Sequence, residues 1–282
     1  MLTQLKLYKF MSLGNRKKAF KTLETKRLYL SLPSSFNDPM DGTVFFSGLG
    51  KEECKIFKET IQTILKQHSK SDLAIRLKVL GDYAVQTNRH LVTCFTTTPD
   101  ESISEGFKYS DVMWAHYADN YKGICIKYNF QQFDYKKVKL YMEDKQTNKI
   151  STYGVVSNGE SINVNLASVN YTSTPIIAQF NNGLLTKDIT YYNSLLNKMA
   201  SWKNEKEHRI IISAPDGCGF STDYNFFISQ DDCNFEIEEI ILGMFISKKN
   251  EQKIREIFKD SSVKISKAMV DDSKAFTTWE QF

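Results

Sequence analysis

Cysteine is scarce in this sequence and shows none of the spacings typical of metal sites or disulfide scaffolds. The 282 residues contain five cysteines, at positions 54, 94, 125, 218 and 233, and no pair has C-x-x-C spacing. This pattern disfavours a structural zinc site and a disulfide-rich fold. Cys94 and Cys125 lie in apolar segments, and we interpret them as small buried hydrophobic residues. We therefore expect a protein of a reducing compartment.

Long apolar runs and glycine-rich phosphate loops are also missing. No stretch of about 18 apolar residues suggests a membrane span, and Met1–Tyr8 lacks the apolar core of a signal peptide. Neither G-x-x-x-x-G-K-[ST] nor G-x-G-x-x-G occurs, which excludes the common nucleotide-binding loops. Together with the cysteine pattern, these absences predict a cytoplasmic protein with no membrane partner.

Positive charges exceed negative charges only modestly. The net charge is +4 and the sequence pI about 8.6, whereas dedicated nucleic-acid binders are usually more basic. Arg16–Lys18 and Lys136–Lys137 are short basic clusters, and we interpret both as solvated surface. Aromatic residues make up 13%, enough to line a pocket as well as a core. Composition cannot separate these uses, and it leaves a protein or nucleic-acid target and the oligomeric state open.

Strand-like and helical segments alternate without a regular strand–helix–strand rhythm. This pattern favours an α+β fold, with helices packed on a mixed, mostly antiparallel sheet, over a doubly wound sheet. No repeat or proline-rich linker is visible, so we expect one domain over residues 1–282, with a helical insert at about 52–87. Helices are predicted at 15–25, 52–67, 71–85, 111–121, 186–200 and after Ser247, and strands at 5–10, 27–32, 91–95, 124–128, 209–213, 237–242, 263–270 and on loops within 133–153 and 158–173.

The turn-rich loop that contains Asn37, Asp38 and Asp41 is the first candidate for a functional role. Pro39 pushes the residue before it into an extended conformation, and Asn and Asp side chains fix turns by bonding nearby backbone amides. One interpretation is a purely structural turn. The alternative is a rigid loop that presents these side chains to a ligand, and two Asp three residues apart also suit a hard cation.

The predicted helix at 111–121, closed by Gly123 as a left-handed cap, is the second candidate. Trp114 and Tyr117 share one helical face with other apolar side chains, and His116 lies at the border of that face. The structural interpretation is a core helix with a bonded histidine at its edge. The functional interpretation is an aromatic wall beside an imidazole that titrates near neutrality and acts as an acid or donor.

The third candidate is a segment of ionisable residues directly followed by an apolar strand. Its sequence is Trp202-Lys-Asn-Glu205-Lys-Glu207-His-Arg209. Glu and Arg are seldom buried unless they are paired. If the segment is extended, Glu205, Glu207 and Arg209 point to one side. Two crowded carboxylates then separate in pKa, as an acid/base pair requires. The alternative is a surface strand edge whose ions pair with their neighbours.

Several motifs, taken in order, resemble the bacterial family known as domain of unknown function 2971. The resemblance spans Leu7 to Gly243 and implies family membership without an activity. It is carried by Leu7-Tyr8-Lys9-Phe10, by Leu28-Tyr29-Leu30-Ser31-Leu32-Pro33-Ser34-Ser35-Phe36-Asn37-Asp38-Pro39-Met40-Asp41, by Cys94-Phe95-Thr96, by Met113-Trp114-Ala115-His116-Tyr117-Ala118 with Gly123-Ile124-Cys125-Ile126-Lys127-Tyr128, by Trp202-x-x-Glu205-x-Glu207-x-Arg209, and by Ile240-Ile241-Leu242-Gly243.

The early strand and helix and the late Glu-x-Glu also resemble the ADP-ribosyltransferase fold. In that fold the second Glu binds the ribose of NAD and stabilises an oxocarbenium-like charge, which implies this role for Glu207. Glu205 matches the substrate-side Glu, and Tyr171–Thr174 is similar to that fold's Ser-Thr-Ser strand. An Arg or His is expected on the first strand, where Tyr8 and Lys9 stand, and Lys9 is expected to hold a phosphate instead.

The resemblance implies an NAD-consuming transferase or glycohydrolase, with a toxin or phage-defence effector as its context. The residues expected to be catalytic are Glu207, Glu205 and His116, and those expected to bind NAD, here a substrate, are Tyr8, Lys9, Asn37, Asp38, Asp41, Trp114, Tyr117, Trp202 and Arg209. One alternative is a metal-dependent nuclease, in which the carboxylates hold Mg²⁺. The other is a non-enzymatic module that senses a nucleotide or a partner, in which the carboxylates only brace the core.

Overall fold

The computed structural model describes most of the chain outside one long segment. The described residues are 6–14, 16–36, 38, 41, 45–47, 87–97, 105–130, 133–155, 162–174, 177–181, 184–185, 191–215, 218–271 and 276–281. The helices predicted at 52–67 and 71–85, and with them nearly all of the predicted insert, lie outside these ranges. Asn37 lies outside them as well.

Short strands dominate the described part of the chain. The strands are β1 (Lys6–Met11), β2 (Arg27–Leu30), β3 (Phe45–Ser47), β4 (His90–Thr96), β5 (Ile124–Asn129), β6 (Lys139–Asp144), β7 (Ile150–Val155), β8 (Asn163–Ser168), β9 (Asn170–Thr172), β10 (Ile177–Asn181), β11 (Leu184–Leu185), β12 (Asn197–Met199), β13 (Glu207–Ser213), β14 (Tyr224–Ser229), β15 (Glu236–Leu242), β16 (Lys264–Asp271) and β17 (Phe276–Gln281). The helices are α1 (Arg16–Thr25), α2 (Glu105–Tyr117), α3 (Tyr191–Ser194), α4 (Gln230–Cys233) and α5 (Lys248–Ile257), with 3-10 turns at Pro33–Ser35, Thr87–Arg89, Tyr135–Lys137 and Ala200–Glu205. None of the helices in these ranges has the length and apolar character that a membrane crossing needs.

A mixed sheet of eight strands, in the order β17-β16-β15-β5-β1-β4-β13-β8, forms the centre of the fold. Within it only β15 and β16 run parallel. A second, antiparallel sheet has the order β2-β14-β6-β7. Helices accompany these sheets, and the α+β prediction is therefore confirmed.

The central strands carry apolar side chains on both faces of the sheet, and both faces are buried against other parts of the protein. On β13, Ile210 and Ile212 belong to the main core, while Ile211 packs with Val92 and Leu195 in a separate cluster on the opposite face. Each fully buried Ile stabilises the fold by about 1.5–3 kcal/mol. The uninterrupted apolar run, which follows the charged segment, is thus a property of a strand buried on both sides.

The central sheet opens between β1 and β4. These two strands share a single paired position, Tyr8 opposite Thr96, whereas β1 pairs with β5 along its whole length. Where the two strands separate, the Lys9 ammonium donates to the Cys94 carbonyl and to the Thr93 hydroxyl, both at 2.9 Å. A side chain therefore satisfies a strand carbonyl beside the gap.

The predicted helix at 111–121 is shifted toward the N-terminus. It spans Glu105–Tyr117, and the following residues Asp119, Asn120 and Tyr121 take the left-handed conformation that we assigned to Gly123. Short polar side chains adopt this conformation more readily than most. Gly123 is needed for a different reason, since a Cβ there would lie 2.2 Å from the Met11 carbonyl oxygen.

The prediction of a helix at 186–200 is wrong for most of the residues in this range that the structure describes. Only Tyr191–Ser194 is helical, and Asn197–Met199 forms β12, which pairs in parallel with β9. Residues 186–190 lie outside the described ranges. The apolar periodicity suited a helix, but tertiary contacts override propensity, and here they draw Lys198 toward buried carboxylates.

We expect Gly123→Ala to lower the free energy of unfolding by about 1–3 kcal/mol, because the added methyl group meets backbone of β1 and forces it to move. Gly14→Ala is the matched control, since its Cβ would meet only the Ser12 hydroxyl, at 3.2 Å. Urea denaturation of both variants measures the difference. Equal stability of the two would contradict the role of the close approach at Gly123.

Candidate functional site

Five charged side chains meet at the start of β13. They are Asp41, Lys198, Glu205, Glu207 and Arg209, and each side chain is at most 6% exposed. We call this set the ion cluster. Burying a charge costs several kcal/mol unless close partners and hydrogen bonds compensate it. The geometry of the pairing therefore decides whether these groups are stable where they lie.

Arg209 uses every N–H of its guanidinium in a hydrogen bond, four to carboxylates of the cluster and one to a backbone carbonyl. It binds Glu207 through two bonds, Nε to Oε1 at 2.7 Å and Nη2 to Oε2 at 3.0 Å. It binds Asp41 through two more, Nη1 to Oδ1 at 2.8 Å and Nη2 to Oδ2 at 2.6 Å. The remaining Nη1 hydrogen goes to the Leu195 carbonyl at 2.6 Å. Two bidentate pairs fix both carboxylates in position and orientation.

Lys198 joins the three carboxylates of the cluster. Its ammonium lies 2.6 Å from Glu205 Oε2, 3.3 Å from Glu207 Oε2 and 3.4 Å from Asp41 Oδ2. Burial lowers the pKa of this ammonium, but the carboxylates, Glu207 first, outweigh burial and raise it above its usual value. Lys198 is therefore a permanent cation at the centre of the cluster.

Glu207 stays ionised in spite of its burial. Burial raises the pKa of this carboxyl, but the Arg209 guanidinium and the Lys198 ammonium outweigh burial and hold the pKa below its usual value. The Cys94 thiol lies beside this carboxylate, and burial raises the pKa of the thiol far above its usual value. The thiol is therefore neutral and not a nucleophile.

Glu205 reaches the cluster from outside the strand, contrary to the extended segment that we predicted. It ends the 3-10 turn Ala200–Glu205, and Lys206 then takes a left-handed conformation with φ 45° before β13 begins. Glu207 and Arg209 do share one strand face, opposite Thr96 and Cys94 of β4. Because Lys198 lies between the two glutamates, they are bridged by a cation instead of being crowded against each other.

A cavity of about 450 Å³ opens beside the ion cluster, within the range of about 300–1,000 Å³ typical of ligand pockets. Its lining includes six of the predicted site residues, namely Tyr8, Lys9, Asp41, Tyr117, Glu205 and Glu207. The lining also includes Lys198, Phe36, Cys94 and Thr96. The first strand, the Asp41 loop and the Glu-x-Glu segment, far apart in sequence, thus meet around one cavity.

The other described site residues that we predicted do not line this cavity. Trp114 is fully buried and stacks on Tyr121, with ring centroids 5.1 Å apart, in an apolar cluster with Ala118, Cys125 and Ile241. His116 is exposed, and its ring lies 6.0 Å from that of Trp202. Of Trp114, His116 and Tyr117, which we predicted to form an aromatic wall with an imidazole, Tyr117 alone lines the cavity.

Two further predicted residues act through a neighbour that lines the cavity. Asp38 is buried, and its carbonyl accepts the Asp41 amide at 3.1 Å, so it helps to form the turn that carries Asp41. Arg209 meets the cavity only through the carboxylates that it holds. Within the described ranges no group of three or more His, Cys, Asp or Glu side chains is arranged to hold a metal ion.

Sequence reasoning missed Lys198 because it lay within a predicted helix with no sign of burial. A signal was available in the composition of the predicted site. Asp41, Glu205 and Glu207 were expected to share a site with Arg209, while Lys9 was assigned to a phosphate, and buried carboxylates need cationic partners. A further cation beside the carboxylates was therefore indicated, although several lysines could have supplied it.

The family model described as Protein of unknown function (DUF2971) matches residues 113–210. This confirms the resemblance to that family over the segment from α2 to β13, which carries Tyr117, Lys198, Glu205, Glu207 and Arg209. Lys9 and Asp41 precede the matched segment. No curated protein and no solved structure matches the chain.

Replacement of Arg209 is expected to lower the free energy of unfolding far more than replacement of a partly exposed arginine. Arg209→Met leaves the carboxylates of Asp41 and Glu207 buried without their main partner, and we expect a loss of about 3–5 kcal/mol in the free energy of unfolding. Arg255→Met is the control, because its pair with Glu251 is partly exposed and worth at most about 1 kcal/mol. Urea denaturation measures both, and similar losses would show that the cluster contributes no more than a surface pair.

Protonation of Glu207 at low pH is expected to lower the free energy of unfolding. Because its pKa in the folded chain lies below the usual 4.5, Glu207 contributes its full stability above pH 4.5. That contribution is lost as the pH falls through the folded pKa. The free energy of unfolding, measured by urea denaturation across this acid range, should fall more steeply for the wild type than for Glu207→Gln. Parallel pH profiles would contradict this assignment.

Proposed function

We propose that the chain is an NAD-consuming enzyme, an ADP-ribosyltransferase-like transferase or a glycohydrolase, that acts in the cavity beside the ion cluster. The observation that carries the proposal is that Glu205 and Glu207 line one cavity together with Lys9. Cavities with a few convergent polar groups are the usual binding sites of small ligands. A toxin or phage-defence effector in the bacterial cytoplasm is the context that we propose for it.

The charges around the cavity suit a ligand with a cationic part and an anionic part. The ion cluster holds three carboxylates and two cations, so it carries one formal negative charge in excess. Lys9 supplies a positive charge elsewhere in the lining. NAD has a pyridinium cation next to one ribose and a pyrophosphate farther along. We place the pyridinium riboside beside Glu207 and the pyrophosphate toward Lys9.

Glu207 has the properties that glycosidic bond cleavage requires of a stabilising group. Positive charge develops on the ribose as the bond to nicotinamide breaks, and an ionised carboxylate held in a site of low dielectric stabilises it. The depressed pKa of Glu207 keeps it ionised, and Arg209 keeps it from turning away. In this proposal Glu205 serves the acceptor that replaces nicotinamide.

A nucleotide-sensing module without catalysis is the second candidate, and one observation favours it. Arg209 and Lys198 saturate the carboxylates with internal bonds, as expected of groups that brace a core. The nuclease alternative gains less support, because the three carboxylates converge on these two cations in place of a metal. A bound nucleotide that is never cleaved is the outcome that the sensing module predicts.

Incubation of the pure protein with NAD is expected to release nicotinamide, measured by chromatography, or to label a protein in a target mixture. Glu207→Gln should slow the reaction by at least about 100-fold, because the developing charge loses its counter-charge. Glu143→Gln is the matched control. Glu143 is also a buried glutamate paired with a lysine, Lys21, but it does not line the cavity, so activity should be retained.

Wild-type protein that neither releases nicotinamide nor labels any target would contradict the proposal. If such a protein still binds NAD in calorimetry, the sensing module is supported instead. Cleavage of RNA or DNA that a chelator abolishes would support the nuclease alternative.

A further inference from the structure

Glu205 differs from the other carboxylates of the ion cluster in the chemistry of its partners. Its Oε1 accepts a hydrogen bond from the Tyr117 hydroxyl at 2.5 Å, and its Oε2 accepts one from Lys198 at 2.6 Å. Both oxygens of Glu207 and of Asp41 are bound by the guanidinium of Arg209. A guanidinium does not give up a proton in proteins, whereas a phenol does. Of the three, Glu205 is thus the carboxylate that accepts a hydrogen bond from a phenol.

Tyr117 lies beside Glu205 in the lining of the cavity. It is the last residue of α2, is partly buried, and lines the cavity together with Glu205. A phenol oxygen can accept a hydrogen bond from one molecule while its own hydrogen is donated to another. Thr96 donates to the Glu205 carbonyl, so both ends of the glutamate are held while its carboxylate faces the phenol.

We infer that Tyr117 and Glu205 form a two-step proton relay that activates the oxygen acceptor in this cavity. The inference rests on the proposed function and adds to it the path of the proton. The acceptor is water in a glycohydrolase reaction or a hydroxyl group of a target in a transfer reaction. His116, which we expected to act as the acid or donor, is exposed and does not line the cavity, so Tyr117 takes that place.

The step balances without any further reactant. The bond between C1′ of the ribose and the pyridinium nitrogen breaks, and its electron pair stays on the ring, which leaves as neutral nicotinamide. The acceptor oxygen donates an electron pair to C1′ and forms the new bond. Its proton moves to the phenol oxygen of Tyr117, while the phenol proton moves to Glu205 Oε1. Glu205 returns that proton to solvent after the product leaves, and Glu207 stays ionised throughout.

Tyr117→Phe and Glu205→Gln test the relay, since each removes one member and Gln keeps an oxygen that can accept from Tyr117. Each single variant is expected to lower kcat for nicotinamide release by about 10²- to 10⁴-fold, with little change in KM for NAD. The double variant is expected to be no slower than the slower single variant, because residues that act as one unit are not additive. Independent losses that multiply in the double variant would overturn the relay.

A proton inventory in mixtures of H₂O and D₂O separates a relay from a structural role. The wild type is expected to show a curved dependence, because two protons move together, and both single variants a linear one. Tyr121→Phe is the matched control. It removes another tyrosine–carboxylate hydrogen bond, to Asp111, outside the cavity, and should keep both kcat and the curvature. Should Tyr117→Phe not fold, as shown by circular dichroism, Glu205→Gln decides the question alone.

The outcomes distinguish this inference from the proposed function. A folded wild-type protein that releases no nicotinamide overturns the proposed function and the relay together. An active wild type whose Tyr117→Phe variant keeps its kcat and a curved inventory overturns the relay alone, and the proposed function stands.

Discussion

The paired hydrogen bonds from Arg209 to Asp41 and Glu207 are the interaction on which the rest of the site depends. A fully buried guanidinium must satisfy five N–H groups, and here it does so with one carbonyl and two bidentate carboxylates. These partners come from the Asp41 turn, from the turn at Leu195 and from β13. Since the bonds are directional and an unpaired buried charge is costly, the three segments have one arrangement in which all of them are satisfied.

The arrangement has a chemical consequence beyond stability. Arg209 and Lys198 keep Glu207 ionised and immobile, while Lys198 also holds Glu205 against the phenol of Tyr117. The gap between β1 and β4 brings Lys9 to the same cavity. A negatively charged wall, a lysine and a phenol therefore surround a space of ligand size, which is the physical basis of the proposed NAD chemistry.

Sequence patterns predicted the elements whose partners are local or whose apolar runs are long. The α+β class, the strand after Glu207 and the helix capped by Ser247 follow from periodicity and capping, and Ser247 does cap α5. The convergence of Asp41 with Glu207 was a hypothesis from residue types alone. The burial of Trp114 agrees with the interpretation of 111–121 as a core helix. The place of Lys198 could not be predicted residue by residue, because it depends on contacts between segments distant in sequence. The helix predicted at 186–200 failed for the same reason.

The central claim is that Glu207 is an ionised carboxylate that faces the ligand in the cavity. Carbon-13 NMR of the glutamate carboxyl groups tests it most directly, with Glu207 assigned through Glu207→Gln and Glu143 as the internal reference. The account predicts that at neutral pH the Glu207 resonance is that of an ionised carboxylate and shifts when ADP-ribose is added, while the Glu143 resonance does not. A Glu207 resonance that is protonated, or that is unchanged at saturating ADP-ribose, would contradict the account.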